Sequence, residues 1–117
     1  MADIGRKVEL AWLAAFYGGL LTDKQRQILR LYCEEDLSTC EIAQEAGISR
    51  QGVHEQLTRA SEKLFSLEEK LGMAARFREM EAGLTDCRAA LREGRVKDAE
   101  KRLDELLRLD QEEENGL

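Results

Sequence analysis

The stretch that decides the fold is STCEIAQEAGISRQGVHEQL, residues 38–57. Ser38 and Glu41 have the spacing of a capping box, in which each side chain binds the backbone N–H of the other residue where a helix begins. Gly47 follows this short helix, at a point where the chain must turn with a positive φ. Ser49 is a favoured N-cap for the helix that comes next. The stretch therefore predicts a helix-turn-helix.

Apolar residues fill this pattern in. Ala43 is small enough to let the two helices approach, and four larger side chains are predicted to fill the angle between them: Ile42, Ile48, Val53 and Leu57. After Ser49, apolar residues recur in steps of four and three, which predicts a long helix with one buried side. That side consists of Val53, Leu57, Ala60, Leu64, Leu67 and Leu71.

Two helices are predicted on the N-terminal side of this stretch. Residues 5–21 predict a helix rich in bulky apolar side chains, ended by a pair of glycines. Thr22 and Gln25 repeat the capping-box spacing and begin a second helix that runs to about Cys33. The acidic residues 34–36 are unfavourable at a helix C-terminus, so they predict a solvated loop.

Two more helices are predicted beyond Gly72. The first has an apolar stripe at Met73, Phe77, Met80, Leu84, Cys87 and Leu91, and the second uses Val96, Ala99, Leu103, Leu106 and Leu107. Gly94 separates them, which predicts an antiparallel hairpin. The fold is therefore predicted to be all-α: a helix-turn-helix bundle over residues 1–72, with a C-terminal helical hairpin over residues 73–117. The hairpin is expected to be a packing or dimerisation arm.

The composition of the chain favours helices, but its negative net charge is unusual for a nucleic-acid-binding protein. The chain of 117 residues has no proline, 5% aromatic residues and 36% charged residues. Its net charge is −6, and residues 22–71 hold seven basic and ten acidic side chains. Nucleic-acid-binding domains are usually basic. This module would have to segregate its charges in order to meet phosphate groups.

The helix that begins after Ser49 is the candidate recognition helix, because such a helix enters the major groove with its first residues. Arg50 can pair with guanine and Gln51 with adenine, and His54 and Thr58 follow on the exposed side. Glu55 would repel phosphate on that same side. The candidates for phosphate contact are Ser49, Lys24, Arg26 and Arg59.

Other classes of function find little support in the sequence. Since no nucleophile has a partnered base and no phosphate-binding glycine loop occurs, we expect neither an enzyme nor a cofactor. His54 is the only histidine and the three cysteines form no CxxC pair, so no metal site is expected. The three cysteines, Cys33, Cys40 and Cys87, are expected to be reduced and packed as small hydrophobes. Reduced cysteines are typical of the cytoplasm. No apolar stretch is long enough to cross a membrane.

Several segments together resemble the YlxM family, small bacterial proteins whose helix-turn-helix is similar to sigma-factor region four. They are Phe16-Tyr17-Gly18, LLTDKQ at 20–25, Asp36-Leu37-Ser38, Glu41-Ile42-Ala43 and GISRQGV at 47–53. The resemblance covers residues 5–73, and the tail matches only in helical pattern. Two residues depart from the family: Gly52, where alanine is usual, and His54, where an aromatic residue is common.

The resemblance implies a regulatory role linked to the signal recognition particle, chiefly through gene neighbourhood with the GTPase of that particle. Two functions stay open. The first is a homodimeric regulator that binds DNA or RNA, favoured by Ser49-Arg50-Gln51. The second is a protein–protein adaptor acting on the particle or its GTPase, favoured by the negative module and by Glu55.

Overall fold

A computed structural model describes residues 4–115, and the side chains of residues 5–109. This part of the chain holds six α-helices, one 3-10 turn and no strand, which confirms the all-α prediction. The bounds are α1 Ile4–Tyr17, the 3-10 turn Gly18–Leu20, α2 Asp23–Cys33, α3 Thr39–Ala46, α4 Arg50–Leu71, α5 Met73–Arg92 and α6 Val96–Asn115.

The helices begin and end where local chemistry predicts. At α2 the Thr22 hydroxyl accepts from the N–H of Gln25 at 3.1 Å, and the Gln25 side chain accepts from the N–H of Thr22 at 3.0 Å. The same reciprocal pair begins α3, so both capping boxes are confirmed. Gly72 and Gly94 have φ of +63° and +79° and follow the ends of α4 and α5. Residues 34–36 are exposed, as predicted.

The chain divides into two compact units, one up to Ala74 and one from Ala75 onward. The first unit has two apolar clusters. One of them lies inside the helix-turn-helix, where Ile42 and Val53 are fully buried and Ile48 and Leu57 pack beside them. This confirms the residues predicted to fill the angle between the helices. The other cluster joins α1, α2 and α4 through Leu10, Leu13, Tyr17, Leu21, Leu29, Ala60, Leu64 and Ala74.

Tyr17 ties the end of α1 to the start of α5. Its hydroxyl donates to the Oε1 atom of Glu68 at 2.6 Å and accepts from the N–H of Met73 at 3.1 Å. Glu68 Oε1 also accepts from the N–H of Ala74 at 3.1 Å. The first backbone donors of α5, which have no partner within the helix, are thus bonded inside the first unit. Burial, and then the bond to Glu68, raises the pKa of Tyr17.

The second unit is an antiparallel pair, α5 and α6, and its contact seam differs from the predicted stripe. The buried residues are Gly83, Cys87, Ala90, Ala99 and Leu106. Of the stripe predicted on α5, only Cys87 is buried and Met80 partly so. The larger apolar side chains are exposed because the helices approach through small residues: a Cβ at Gly83 would stand 2.4 Å from Leu106 Cδ2.

The three cysteines are free thiols with different surroundings. Cys87 is buried and Cys33 is half-buried, as expected of small hydrophobes. Cys40 is exposed, so the prediction that all three are packed is wrong for this residue. It occupies the first turn of α3, two residues before the buried Ile42, and therefore points away from the core.

Candidate nucleic-acid interface

Local hydrogen bonds fix the turn between α3 and α4. Gly47 has φ of +71°, and its N–H and that of Ile48 both donate to the carbonyl of Ala43, at 2.9 and 3.1 Å. The Ser49 hydroxyl accepts from the N–H of Gly52 at 2.9 Å and so caps α4. The left-handed turn at Gly47 and the cap at Ser49 are both confirmed. The turn holds the first residues of α4 in one orientation against α3.

One exposed side of α4 gathers four of the candidate residues. With about 3.6 residues per turn, positions 51, 54, 55, 58 and 62 follow one another along one side of a helix. They line a shallow depression, which we call the α4 face: Gln51, His54, Glu55, Thr58, Arg59 and Glu62. The structure thus places Gln51, His54, Thr58 and Arg59 together.

Arg50 lies beside the α4 face and not on it. It precedes Gln51 by one residue, which sets it about 100° away around the helix. Its Nη1 atom lies 3.7 Å from Cys40 Sγ, a weak contact that leads the side chain toward the start of α3. Both residues are exposed. Arg50 is therefore accessible at the corner where the two helices of the motif meet.

The other candidates for phosphate contact already have partners within the chain. Lys24 Nζ donates to the carbonyl of Ala46 at 3.2 Å, which satisfies an acceptor in the last turn of α3. Arg26 forms an ion pair with Asp23. The Ser49 hydroxyl serves as the cap of α4. Each of them could meet a phosphate only by sharing or leaving this partner.

The α4 face carries charges of both signs. Arg59 is basic, whereas Glu55 and Glu62 are acidic. Among the described residues, no hydrogen bond or ion pair engages the side chains of these three, so they are available to a partner. Sequence reasoning missed Glu62, although its distance of seven residues from Glu55 would have placed it on the same side.

The carboxylate of Glu41 belongs to the capping box at the start of α3. The N–H and then the hydroxyl of Ser38 lower the pKa of the Glu41 carboxyl. The charged form is thus favoured beside the positive end of the helix.

Within the described part of the chain, no group of three or more His, Cys, Asp or Glu side chains is arranged to hold a metal ion. Among the described helices, none combines the length and the apolar composition that a membrane span requires.

Comparison with known proteins places this motif in a family. The model of UPF0122, described as "Putative helix-turn-helix protein, YlxM / p13 like", matches residues 4–106. A UPF0122 protein of Desulforamulus reducens is 42% identical over 71 residues, 61% of each chain. One of Caldanaerobacter subterraneus subsp. tengcongensis is 51% identical over 65 residues, 56% of each chain. One of Acetivibrio thermocellus is 48% identical over 69 residues, 59% of each chain.

The matched part spans between about half and two thirds of these relatives. The family model extends further, over most of this chain and into the second unit. The chain therefore belongs to the UPF0122 family of YlxM / p13-like helix-turn-helix proteins.

Proposed function

We propose that this protein is a regulatory helix-turn-helix protein that binds nucleic acid through the first turn of α4 and the α4 face. The observation that carries the proposal is the open start of α4. The Ser49 hydroxyl takes the N–H of Gly52, and no described residue accepts from the N–H of Arg50 or Gln51. Such donors, at the positive end of a 22-residue helix, suit a phosphate group.

The exposed side chains of the same turn suit base edges. Arg50 can bind guanine with two hydrogen bonds, and Gln51 can bind adenine in the same way. His54, Thr58 and Arg59 extend this surface along the groove. The remaining candidates, Ser49, Lys24 and Arg26, would act at the rim, where phosphate contacts set the position of the protein without specifying sequence.

The proposed pathway is that of the signal recognition particle, and the target is either DNA or the RNA of the particle. Support comes from membership of the YlxM-like family. DNA would be met in the major groove by α4. RNA would be met by the same donors at a loop or bulge, because a protein helix cannot enter the deep groove of an RNA duplex.

A second candidate function is a protein–protein adaptor acting on the particle or its GTPase. A specific observation favours it: two carboxylates that pair with no described residue, Glu55 and Glu62, stand on the α4 face beside Arg59. Carboxylates there repel a phosphate backbone but can pair with basic side chains of a protein. An enzymatic activity forms no part of either proposal.

Three further assignments complete the proposal. Residues 1–72 form the binding domain, and residues 73–117 form an arm that joins two copies into a homodimer. The protein works in the cytoplasm, where free thiols such as those of Cys33, Cys40 and Cys87 are stable.

The test is a salt titration of binding to non-specific duplex DNA and to the RNA of the particle. Real phosphate contacts make the logarithm of affinity fall with that of salt, by about 0.9 per phosphate for duplex DNA and about 0.7 for single strands. A steep fall with either probe supports the regulator, and the tighter probe identifies the target. Absence of binding at low salt would retire the nucleic-acid role, and the purified GTPase would then be the next ligand to try.

A further inference from the structure

The hairpin of the second unit has large apolar side chains that are partly exposed on both of its helices. On α5, Phe77, Leu84 and Leu91 follow each other at seven-residue steps and are 46%, 49% and 54% exposed. On α6, Val96, Leu103 and Leu107 are 54%, 39% and 64% exposed. Single exposed apolar residues are common on proteins, but contiguous groups mark binding surfaces.

These six residues lie on one side of the hairpin. At about 100° per residue, the α5 trio stands about a quarter turn from the buried Gly83 and Cys87. The α6 trio stands about 40–80° from the buried Ala99, and since the helices are antiparallel this rotation leads to the same side. We call this side the hairpin face.

The opposite side of the hairpin is polar, as expected if the large apolar residues share one side. Residues of both helices line a polar depression there, including Asp86 and Ala89 of α5 and Asp98, Lys101 and Arg102 of α6. Arg102 Nε and Asp86 Oδ2 form an ion pair across it at 3.4 Å. Part of the charge on the polar side is thus paired within the hairpin, whereas the large apolar residues of the hairpin face stay exposed.

We infer that the hairpin face binds the hairpin face of a second copy of this chain, forming a four-helix bundle. Its heptad-like spacing of large apolar residues is typical of helices that pack against other helices. The inference rests on the proposed homodimer and assigns the surface that forms it.

Charges along the edges of the hairpin face favour self-association. The charged residues along the two edges, all of them exposed, are Glu81, Arg88 and Arg92 on α5 and Lys97, Glu100, Asp104 and Arg108 on α6. Each edge thus has both signs. If the two-fold axis of the dimer runs parallel to the helices, the α5 edge of one copy faces the α6 edge of the other. If the axis runs perpendicular to the helices, each edge faces the same edge of the other copy, in the reverse direction. Either arrangement can place an acidic side chain opposite a basic one, as an isologous interface requires.

The positions of these charged residues along the helix axes also favour pairing between two copies. Cys87 Sγ donates to the carbonyl of Ala99 at 3.6 Å, so that Arg88 and Glu100 stand at about the same height on the two helices. With the axis along the helices, Arg88 of one copy therefore faces Glu100 of the other, twice by symmetry. The hairpin face joins an apolar centre to a polar rim, which is the usual layout of a protein interface.

Sedimentation equilibrium of the full chain tests the inference, with Leu84→Glu at the centre of the hairpin face and Ala89→Glu as the control on the polar side. Both residues are exposed within one copy, so neither change disturbs the hairpin, and circular dichroism at low concentration verifies this. Leu84→Glu is expected to raise the dimer dissociation constant at least about 100-fold, because it buries an unpaired charge. Ala89→Glu should change it less than about threefold.

Two results would overturn the inference, and they separate it from the proposals on which it stands. A wild-type chain that stays monomeric up to about 1 mM would exclude a second copy as the occupant and remove the homodimer as well. A dimer that Leu84→Glu leaves intact would remove the hairpin face alone. Nucleic-acid binding is measured separately and stands or falls in the salt titration.

Discussion

The two units of the chain bury apolar side chains of different sizes. In the first unit the fully buried residues are large and include Tyr17, Leu10, Ile28, Ile42, Leu64 and Val53. In the second unit the buried seam is made mainly of small residues: Gly83, Cys87, Ala90 and Ala99, with Leu106 as the large exception. The first unit thus buries or half-buries most of its large apolar side chains, with Val8, Leu20, Phe65, Leu71 and Met73 as exposed exceptions, whereas the second leaves most of them exposed.

This difference shows where each unit obtains its stability. Burying a methylene group contributes about 0.8 kcal/mol, so a core of large side chains holds the first unit together from within. The α4 face is then free to carry polar and charged residues without a structural role. The seam of the second unit is made mainly of small side chains and removes less apolar surface from water, so that most of its large side chains stay exposed.

The largest difference between the two units is expected when a large buried residue of the first and a large exposed residue of the second are each replaced by alanine. Ile42→Ala in the first unit is expected to lower the free energy of unfolding by about 2–5 kcal/mol, since it leaves a cavity in a fully packed site. Leu107→Ala in the second unit should change it by less than about 0.5 kcal/mol. The measurement is urea denaturation at a concentration that keeps the chain monomeric. Equal losses would show that the hairpin buries Leu107 after all.

Tyr17→Phe tests whether polar bonds also hold the first unit. The change removes the bonds to Glu68 Oε1 and from the N–H of Met73, and should cost about 1–3 kcal/mol at neutral pH. Because the folded state raises the pKa of Tyr17, its contribution is present below about pH 10 and is lost as the pH rises above that value. Denaturation at several pH values should therefore show a smaller alkaline loss in Tyr17→Phe. An identical alkaline loss in both proteins would refute the assignment.

Alanine at the two helical glycines, Gly52 in the first unit and Gly83 in the second, should change the stability by small amounts of opposite sign. Gly52→Ala gains about 1 kcal/mol of helix propensity, but the new Cβ would stand 3.2 Å from Ser49 Oγ, which must shift slightly, so the net gain should be less than about 0.5 kcal/mol. Gly83→Ala gains the same helix propensity but forces Leu106 to move, and should lower stability by about 1 kcal/mol net. Thermal unfolding of both variants measures the difference. A stabilising Gly83→Ala would mean that α5 and α6 lie farther apart at Gly83 than its close approach to Leu106 implies.

The parts of the fold that depend on neighbours in sequence could be predicted. Capping boxes at Thr22 and Ser38 and the turn at Gly47 involve residues at most four apart, and the side chain types alone specify their hydrogen bonds. The hairpin seam could not be predicted in the same way. Large residues and small residues on α5 both recur with a helical period, a quarter turn apart, and only the close approach at Gly83 selects the small ones.

The candidate site was predictable to a similar extent. Exposure of Arg50, Gln51 and His54 follows from the phase of α4, which Val53 fixes. The bond from Lys24 to the carbonyl of Ala46 joins residues 22 apart, so the sequence gives no sign that this lysine is engaged. The contact of Arg50 with Cys40 likewise depends on how α3 and α4 cross.

The most direct test of the central claim, that α4 binds nucleic acid, compares Arg50→Ala with Lys101→Ala for affinity toward whichever probe the wild type binds more tightly. Both changes remove one exposed positive charge, but Lys101 lies on the polar side of the hairpin. Arg50→Ala is expected to weaken binding about 10- to 100-fold with an unchanged circular dichroism spectrum, and Lys101→Ala less than about twofold. An unchanged affinity in Arg50→Ala would contradict the account.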